Sequence, residues 1–271
     1  MTERVGEAEL HRRRIDIDGT WNFRDVGGYP VAGGGCTRMG LLFRSDALHD
    51  LSDDGRRQFA ALGIHTVIDL RRTTEYRADP DLVEGTGARV LHLPLFDVVD
   101  GTSTTTAATV RTSTVATGDV TLADVYRWFI TGRGTAIAAV VRALAAPGAL
   151  PAVVHCMGGK DRTGIVVALV LAAIGVDDQV IAADYAATGL FLTDERRAAL
   201  LARGSLGNDP GRLSSDPELI LDALATACQR YGSIEAYLTG HGVPSTDIDQ
   251  LRAVLLDDVP TVGRGELAGA S

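Results

Sequence analysis

Two kinds of hydrophobic pattern alternate along the chain. Short apolar runs bounded by turn or charged residues lie at 41–44, 65–70, 89–93 and 152–154, and each predicts a buried strand. Pro94 stops the third of them. Arg14, Ile15, Asp16 and Ile17 alternate polar and apolar positions and predict a first, half-buried strand. Elsewhere the apolar spacing is helical, over 53–62, 122–131, 135–145, 162–174, 177–187, 194–202, 216–231, 233–238 and 246–256. Ser52 reads as the N-cap of the first helix. Residues 22–35 are rich in glycine and read as hairpin and turns, and 102–120, rich in Thr, Ser and Ala, as a long surface loop.

Strands early and helices late predict an α/β fold, with a central, mostly parallel sheet of four to five strands flanked by helices. One domain is expected over 15–260, between a polar N-terminal tail at 1–14 and a C-terminal tail at 261–271. Within it, 185–213 is a candidate helical lid. It is amphipathic, carries Arg196, Arg197, Arg203 and Arg212, and is flanked by Gly189 and the glycines of 204–211. An ordinary packed helix pair is the plainer alternative.

With 271 residues, 45% of them hydrophobic, and a mean hydropathy of +0.10, the chain can bury a sizeable core. No apolar run is long enough for a transmembrane helix, and the N-terminus has no apolar segment of a signal peptide. No stable membrane insertion is expected, and a cytoplasmic protein is the default. The net charge of -9 argues against nucleic acid as a partner. Cys36, Cys156 and Cys228 are an odd set with no disulfide framework, and the six histidines show no zinc spacing. Neither metal nor cofactor is expected; the oligomeric state is not written in these patterns.

The most informative chemistry lies at 155–164, His-Cys-Met-Gly-Gly-Lys-Asp-Arg-Thr-Gly, between the apolar run 152–154 and the apolar stretch 165–174. That order reads as strand, tight loop, helix. Gly158 and Gly159 let the loop curl so that successive N–H groups converge on an anion. The helix beginning near Arg162 adds its positive end. Arg162 can grip phosphate oxygens with two parallel N–H bonds, which lysine cannot reproduce. Cys156 at the floor of that cup is favoured as thiolate and can attack phosphorus. Met157, Gly158, Gly159, Lys160, Asp161, Arg162 and Thr163 form the expected phosphate-binding set. Thr163 can donate its hydroxyl to the sulfur when it leaves, and His155 can orient the loop from behind.

This string resembles the signature of the protein tyrosine phosphatase superfamily, and in its full form the atypical bacterial phosphatases of the mycobacterial phosphatase B type. The resemblance extends to Asn22-Phe23-Arg24-Asp25-Val26-Gly27-Gly28-Tyr29, Phe43-Arg44-Ser45-Asp46, Val67-Ile68-Asp69-Leu70-Arg71-Arg72 and Tyr231-Gly232-Ser233-Ile234, covering roughly 15–258. It implies a metal-independent enzyme acting on phosphotyrosine, phosphoserine/threonine and phosphoinositides through a cysteinyl-phosphate. The partners are then a phosphorylated protein or a phosphoinositide. The resembled family covers its site with a helical lid and includes members exported without a cleaved signal, which leaves export open.

Two candidates remain for the acid that protonates the leaving oxygen. There is no Trp-Pro-Asp loop, since neither Trp21 nor Trp128 is followed by Pro-Asp. Asp161 lies in the loop and matches the resembled family's aspartate, and is preferred, its plainer role being to pair with Lys160 or brace the loop; Asp97, after Pro94-Leu95-Phe96, could reach in from a strand end. Lys160 either meets a second anionic group of the substrate or is a solvated rim charge. At the end of the 65–70 strand, Asp69 either touches substrate or makes a structural hydrogen bond to neighbouring loops, and Arg71 either touches substrate or is a solvated strand-end charge. Residues 22–29 read as architectural, with a tight turn at Gly27-Gly28 near the site. A phosphate-binding module without turnover is the non-enzymatic alternative.

Overall fold

In the computed structural model, which describes residues 6–96, 121–202 and 210–257, five short strands share one sheet. They are β1 (Arg24–Asp25), β2 (Leu42–Ser45), β3 (Thr66–Asp69), β4 (Arg89–His92) and β5 (Ala152–His155). Their order across the sheet is β1-β2-β5-β3-β4. β1 runs antiparallel to β2 at one edge; the other neighbours are parallel, and Ser45, His155 and Asp69 end in register.

Every residue of β2, β3 and β5 is buried, as expected of strands covered on both faces. Their side chains alternate between two cores. Leu42, Ile68 and Val154 join Ile165, Leu169 and Tyr126 on one face, while Phe43, Val67 and Val153 join Phe23, Leu48 and Phe59 on the other.

The helices in chain order are α1 (Glu7–Arg13), α2 (Asp53–Ala61), α3 (Thr73–Ala78), α4 (Leu122–Gly132), α5 (Gly134–Ala145) and α6 (Asp161–Ala173). They continue with α7 (Asp178–Phe191), α8 (Asp194–Ala202), α9 (Pro217–Tyr231), α10 (Ile234–Gly240) and α11 (Ser245–Leu255), with a 3-10 turn at Pro210–Leu213. α6 leaves the end of β5 and is buried from Thr163 through Leu171, packed on α7, α9 and α5. No described helix is long and apolar enough to cross a membrane.

Ser52 caps α2 as expected, its hydroxyl accepting from the Gly55 N–H at 3.0 Å. Three expectations change. Residues 14–17 make a single bridge, Arg14 to Arg24, and no strand; Ile17 alternates inward because it packs against Phe23 and Phe43. Part of the expected N-terminal tail is α1, which buries Leu10 and Arg13; Arg13 lies over the Tyr29 ring at 4.0 Å and donates to the Gly28 carbonyl at 3.1 Å. α3 was not expected, because none of its residues is buried and it has no apolar stripe. The expected loop at 102–120 lies outside the described residues, as does Asp97.

Candidate active site

The loop from Cys156 to Lys160 is held from outside by its carbonyls. Met157 O accepts from the Ala47 N–H at 3.1 Å, Gly158 O from Asn22 Nδ2 at 3.0 Å and Gly159 O from an Arg44 NH2 at 2.7 Å. In a trans peptide the N–H opposes the carbonyl. The N–H groups of Gly158, Gly159 and Lys160 therefore point away from those partners, into the loop. The first turn of α6 adds amides that have no helical acceptor. Gly159 is obligatory here: its φ is +66°, and a Cβ would come within 2.4 Å of the Ser45 carbonyl. Gly158 has no such constraint, since a Cβ there meets Leu200 and Trp21 at ordinary contact distance.

Cys156 lies at the base of this cup, with 2% of its surface exposed. Arg162, in the first turn of α6, makes a two-point contact with Glu75 of α3, at 2.7 and 3.3 Å. Burial acts against the Arg162 charge, but Cys156 and Glu75 together raise its pKa above the ordinary value. Burial would likewise raise the Glu75 pKa; Arg162 and the Arg72 N–H overcome it and hold Glu75 at about 2. Glu75 was not foreseen in the sequence. Its only trace was an Arg72/Glu75 spacing that also suits a solvated helix face.

Lys160 is no solvated rim charge. It is buried, and its Nζ donates to Asp161 Oδ1 at 2.6 Å and to the Ser214 carbonyl at 2.9 Å. Asp161 Oδ1 also accepts from the Tyr126 hydroxyl at 2.7 Å, which in turn shares a 2.7 Å contact with the Tyr185 hydroxyl. Burial, then Asp161, keep the Tyr126 pKa well above 10, so this phenol stays a neutral donor. The Thr163 hydroxyl is buried with no hydrogen-bond partner among the described residues.

Behind the loop lies a second buried network, which includes Asp69 and Arg71. Both are fully buried and absent from the pocket wall. Arg71 NH2 bonds Asp69 Oδ2 and Asp81 Oδ1, each at 2.8 Å, and Asp81 Oδ2 lies 3.0 Å from His155 Nε2. Asp69, Asp81 and His155 have metal-ligand spacing, but the Arg71 guanidinium already supplies the cation between the carboxylates. His155 also contacts the Cys156 carbonyl through Nδ1 at 3.2 Å, so it braces the loop from behind as expected.

Burial would lower the His155 pKa, but Asp81 and Asp69 raise it from 6.5 to about 9. A pKa raised on folding means that the protonated pair stabilises fully below pH 6.5, and that the contribution is lost as pH rises through 9. The melting temperature is expected to fall between those limits, and the fall to flatten in Asp81→Asn. An equal fall in both proteins would show that the pair does not act this way.

The pocket above Cys156 has apolar walls. Trp21, Phe96, Phe129, Leu192, Leu200 and Leu213 line it, together with Arg72, Glu75, Lys160, Asp161 and Arg162. Asp46 fixes Trp21 there by accepting the N–H groups of Trp21 and Asn22 at 3.1 and 2.9 Å. Leu192, Leu200 and Leu213, from the described parts of 185–213, contribute one wall of the mouth. Arg196 and Arg197 lie on α8, which has no buried residue. Arg203 lies outside the described residues.

The tyrosine phosphatase family matches residues 15–257 of the chain. The chain is 34% identical over 278 residues to the triple specificity protein phosphatase PtpB of Mycobacterium tuberculosis, covering 89% of this chain and 98% of that protein. It is 28% identical over 223 residues to a tyrosine-protein phosphatase of Nostoc commune, covering 78% and 73% respectively.

Proposed function

Because the chain belongs to the tyrosine phosphatase family, we propose that it hydrolyses phosphoric monoesters without metal, through a phosphate carried on Cys156. The observation that carries this reading is the cup itself. A buried thiol lies under inward amides and beside an arginine fixed by a carboxylate.

The substrate dianion sits on the amides of Gly158, Gly159 and Lys160, and the first turn of α6 faces it. Arg162 closes over two phosphate oxygens; Glu75 takes one hydrogen each from NH1 and NH2, which leaves the Nε–NH2 edge with two parallel N–H groups for phosphate. The Cys156 sulfur attacks phosphorus, and the S–P bond forms as the bond to the leaving oxygen breaks. Asp161 gives its proton to that oxygen. Water then attacks phosphorus while Asp161 takes a proton back. The S–P bond breaks, inorganic phosphate leaves, and the unpaired Thr163 hydroxyl is free to stabilise the returning thiolate.

The apolar walls suit an aryl phosphate, and Lys160 on the same wall suits a second anionic group. Both features, with the triple specificity of the mycobacterial relative, support phosphotyrosine, phosphoserine/threonine and phosphoinositide substrates. The test is phosphate release in the presence of a chelator, from an aryl phosphate, phosphotyrosine and phosphoserine peptides, and a phosphoinositide set. Release from none of them, with inorganic phosphate still bound, would make the protein a binding module.

Asp161→Asn separates the two candidate acids. The alkaline limb of the pH–rate profile is expected to disappear, and turnover of a poor leaving group such as phosphoserine to fall about 100-fold or more. An aryl phosphate with an acidic phenol loses less, since it needs less protonation. An unchanged profile would move the role to Asp97.

A further inference from the structure

Two of the three carbonyl anchors of the phosphate loop come from one buried charge cluster. Asp184 on α7 accepts from Arg44 NH1 at 2.6 Å, Arg24 Nε at 3.1 Å and the Tyr29 hydroxyl at 3.0 Å. Arg44 reaches on with NH2 to the Gly159 carbonyl. Arg24 NH1 donates to Asn22 Oδ1, which leaves Asn22 Nδ2 aimed at the Gly158 carbonyl. Arg24 NH2 also holds the Asp184 carbonyl and the Thr188 hydroxyl, at 2.9 and 3.1 Å. Arg24, Arg44 and Asp184 are each 1% exposed or less.

We propose that Arg44 and Asn22 are positioning residues for the phosphate loop, locked by Asp184, and that they set its affinity for a phosphate dianion without touching it. The proposal deepens the phosphatase reading and rests on it. The argument is geometric. Each anchor fixes the plane of one peptide, and that plane decides where the next N–H points. Arg44 orients the Lys160 amide through Gly159 O, and Asn22 orients the Gly159 amide through Gly158 O. An amide turned aside loses its bond to phosphate, and bonds to a charged group are among the stronger ones. The cluster also carries two guanidinium groups against one carboxylate. Burial and Arg44 lower the Arg24 pKa to about 10, against the pull of Asp184, so Arg24 stays cationic at neutral pH. The loop thus rests on a buried net positive charge, in a setting where water screens poorly.

The test is titration of the purified protein with inorganic phosphate, which needs no turnover, alongside thermal melting. Arg44→Lys keeps the charge next to Asp184 but cannot fork to Asp184 and Gly159 together. Asn22→Ser removes the reach to Gly158 without changing any charge, and decides the matter if Arg44→Lys fails to fold. Both are expected to raise the phosphate Kd about tenfold, the scale of one charge-assisted bond. Tyr29→Phe strips a donor from the same carboxylate and touches neither loop carbonyl. It is expected to lower the melting temperature with phosphate affinity kept. Folded Arg44→Lys and Asn22→Ser proteins that bind phosphate as the wild type does would overturn the proposal. So would a loss in Tyr29→Phe as large as theirs, which would mark a general loosening. Cys156-dependent turnover by the wild type tests the phosphatase reading separately.

Discussion

Cys156→Ser is expected to release no measurable phosphate from any substrate while binding inorganic phosphate about as tightly as the wild type. The two halves of the result have different causes. Affinity comes from the amides of Gly158, Gly159 and Lys160, from α6 and from Arg162, none of which the substitution touches. Turnover needs a strong nucleophile that is also a good leaving group from phosphorus, and a serine hydroxyl in the same place is neither. Losing the nucleophile should lower kcat on the order of 10,000-fold or more. The measurement is phosphate release over hours in chelator, paired with a phosphate titration. Turnover within tenfold of the wild type would rule out a phosphate carried on Cys156 and point to direct attack by water.

Arg162→Lys is expected to lower kcat/KM about 100- to 1,000-fold, the scale for one preorganised transition-state contact. It should weaken phosphate binding as well, which separates it from Cys156→Ser. The lysine keeps one positive charge, so the loss measures geometry. An ammonium cannot reach both Glu75 oxygens and two phosphate oxygens at once. Glu75 would also lose the partner that holds its pKa at about 2, and a half-buried carboxylate would remain poorly paired beside the incoming dianion. Near-normal kinetics would mean that charge alone suffices. A loss of kcat with phosphate affinity intact would confine Arg162 to the transition state.

What could be read from the chain was local. Strand, loop and helix at 152–174 follow one another without a break, so pattern and chemistry coincide there. The parallel sheet followed from apolar runs, and the α2 cap from a serine at the right step. What escaped depends on partners distant in sequence. Glu75 meets Arg162 across 87 residues, from a helix with no apolar face to announce it. Asp69 reads both as a structural hydrogen-bonding group and as a site residue, and Arg71 as a solvated strand-end charge or a site residue; the arrival of Asp81 and His155 puts both in one buried network. Nothing local in the sequence marks Lys160 as buried, because Ser214, whose carbonyl accepts from it, lies 54 residues away. Asp184 did leave a trace, a lone acid inside the apolar helical stretch 180–187. Such an acid calls for a buried cation. Which arginine supplies it is decided by the fold.

The position of β5 bears on how the chain is made. It lies between β2 and β3, which do not pair with each other. The first 151 residues contain β1-β2 and β3-β4 but not the strand that joins the two pairs. Each pair presents an unpaired inner edge, and such edges recruit strands from other chains. Nascent chains paused before residue 152 should therefore lean on chaperones, and chains released there should aggregate. Joining the two pairs brings His155 into line with Ser45 and Asp69. The strand that completes the sheet also leads directly into the thiol, so the central strand and the nucleophile are made in one short stretch of chain.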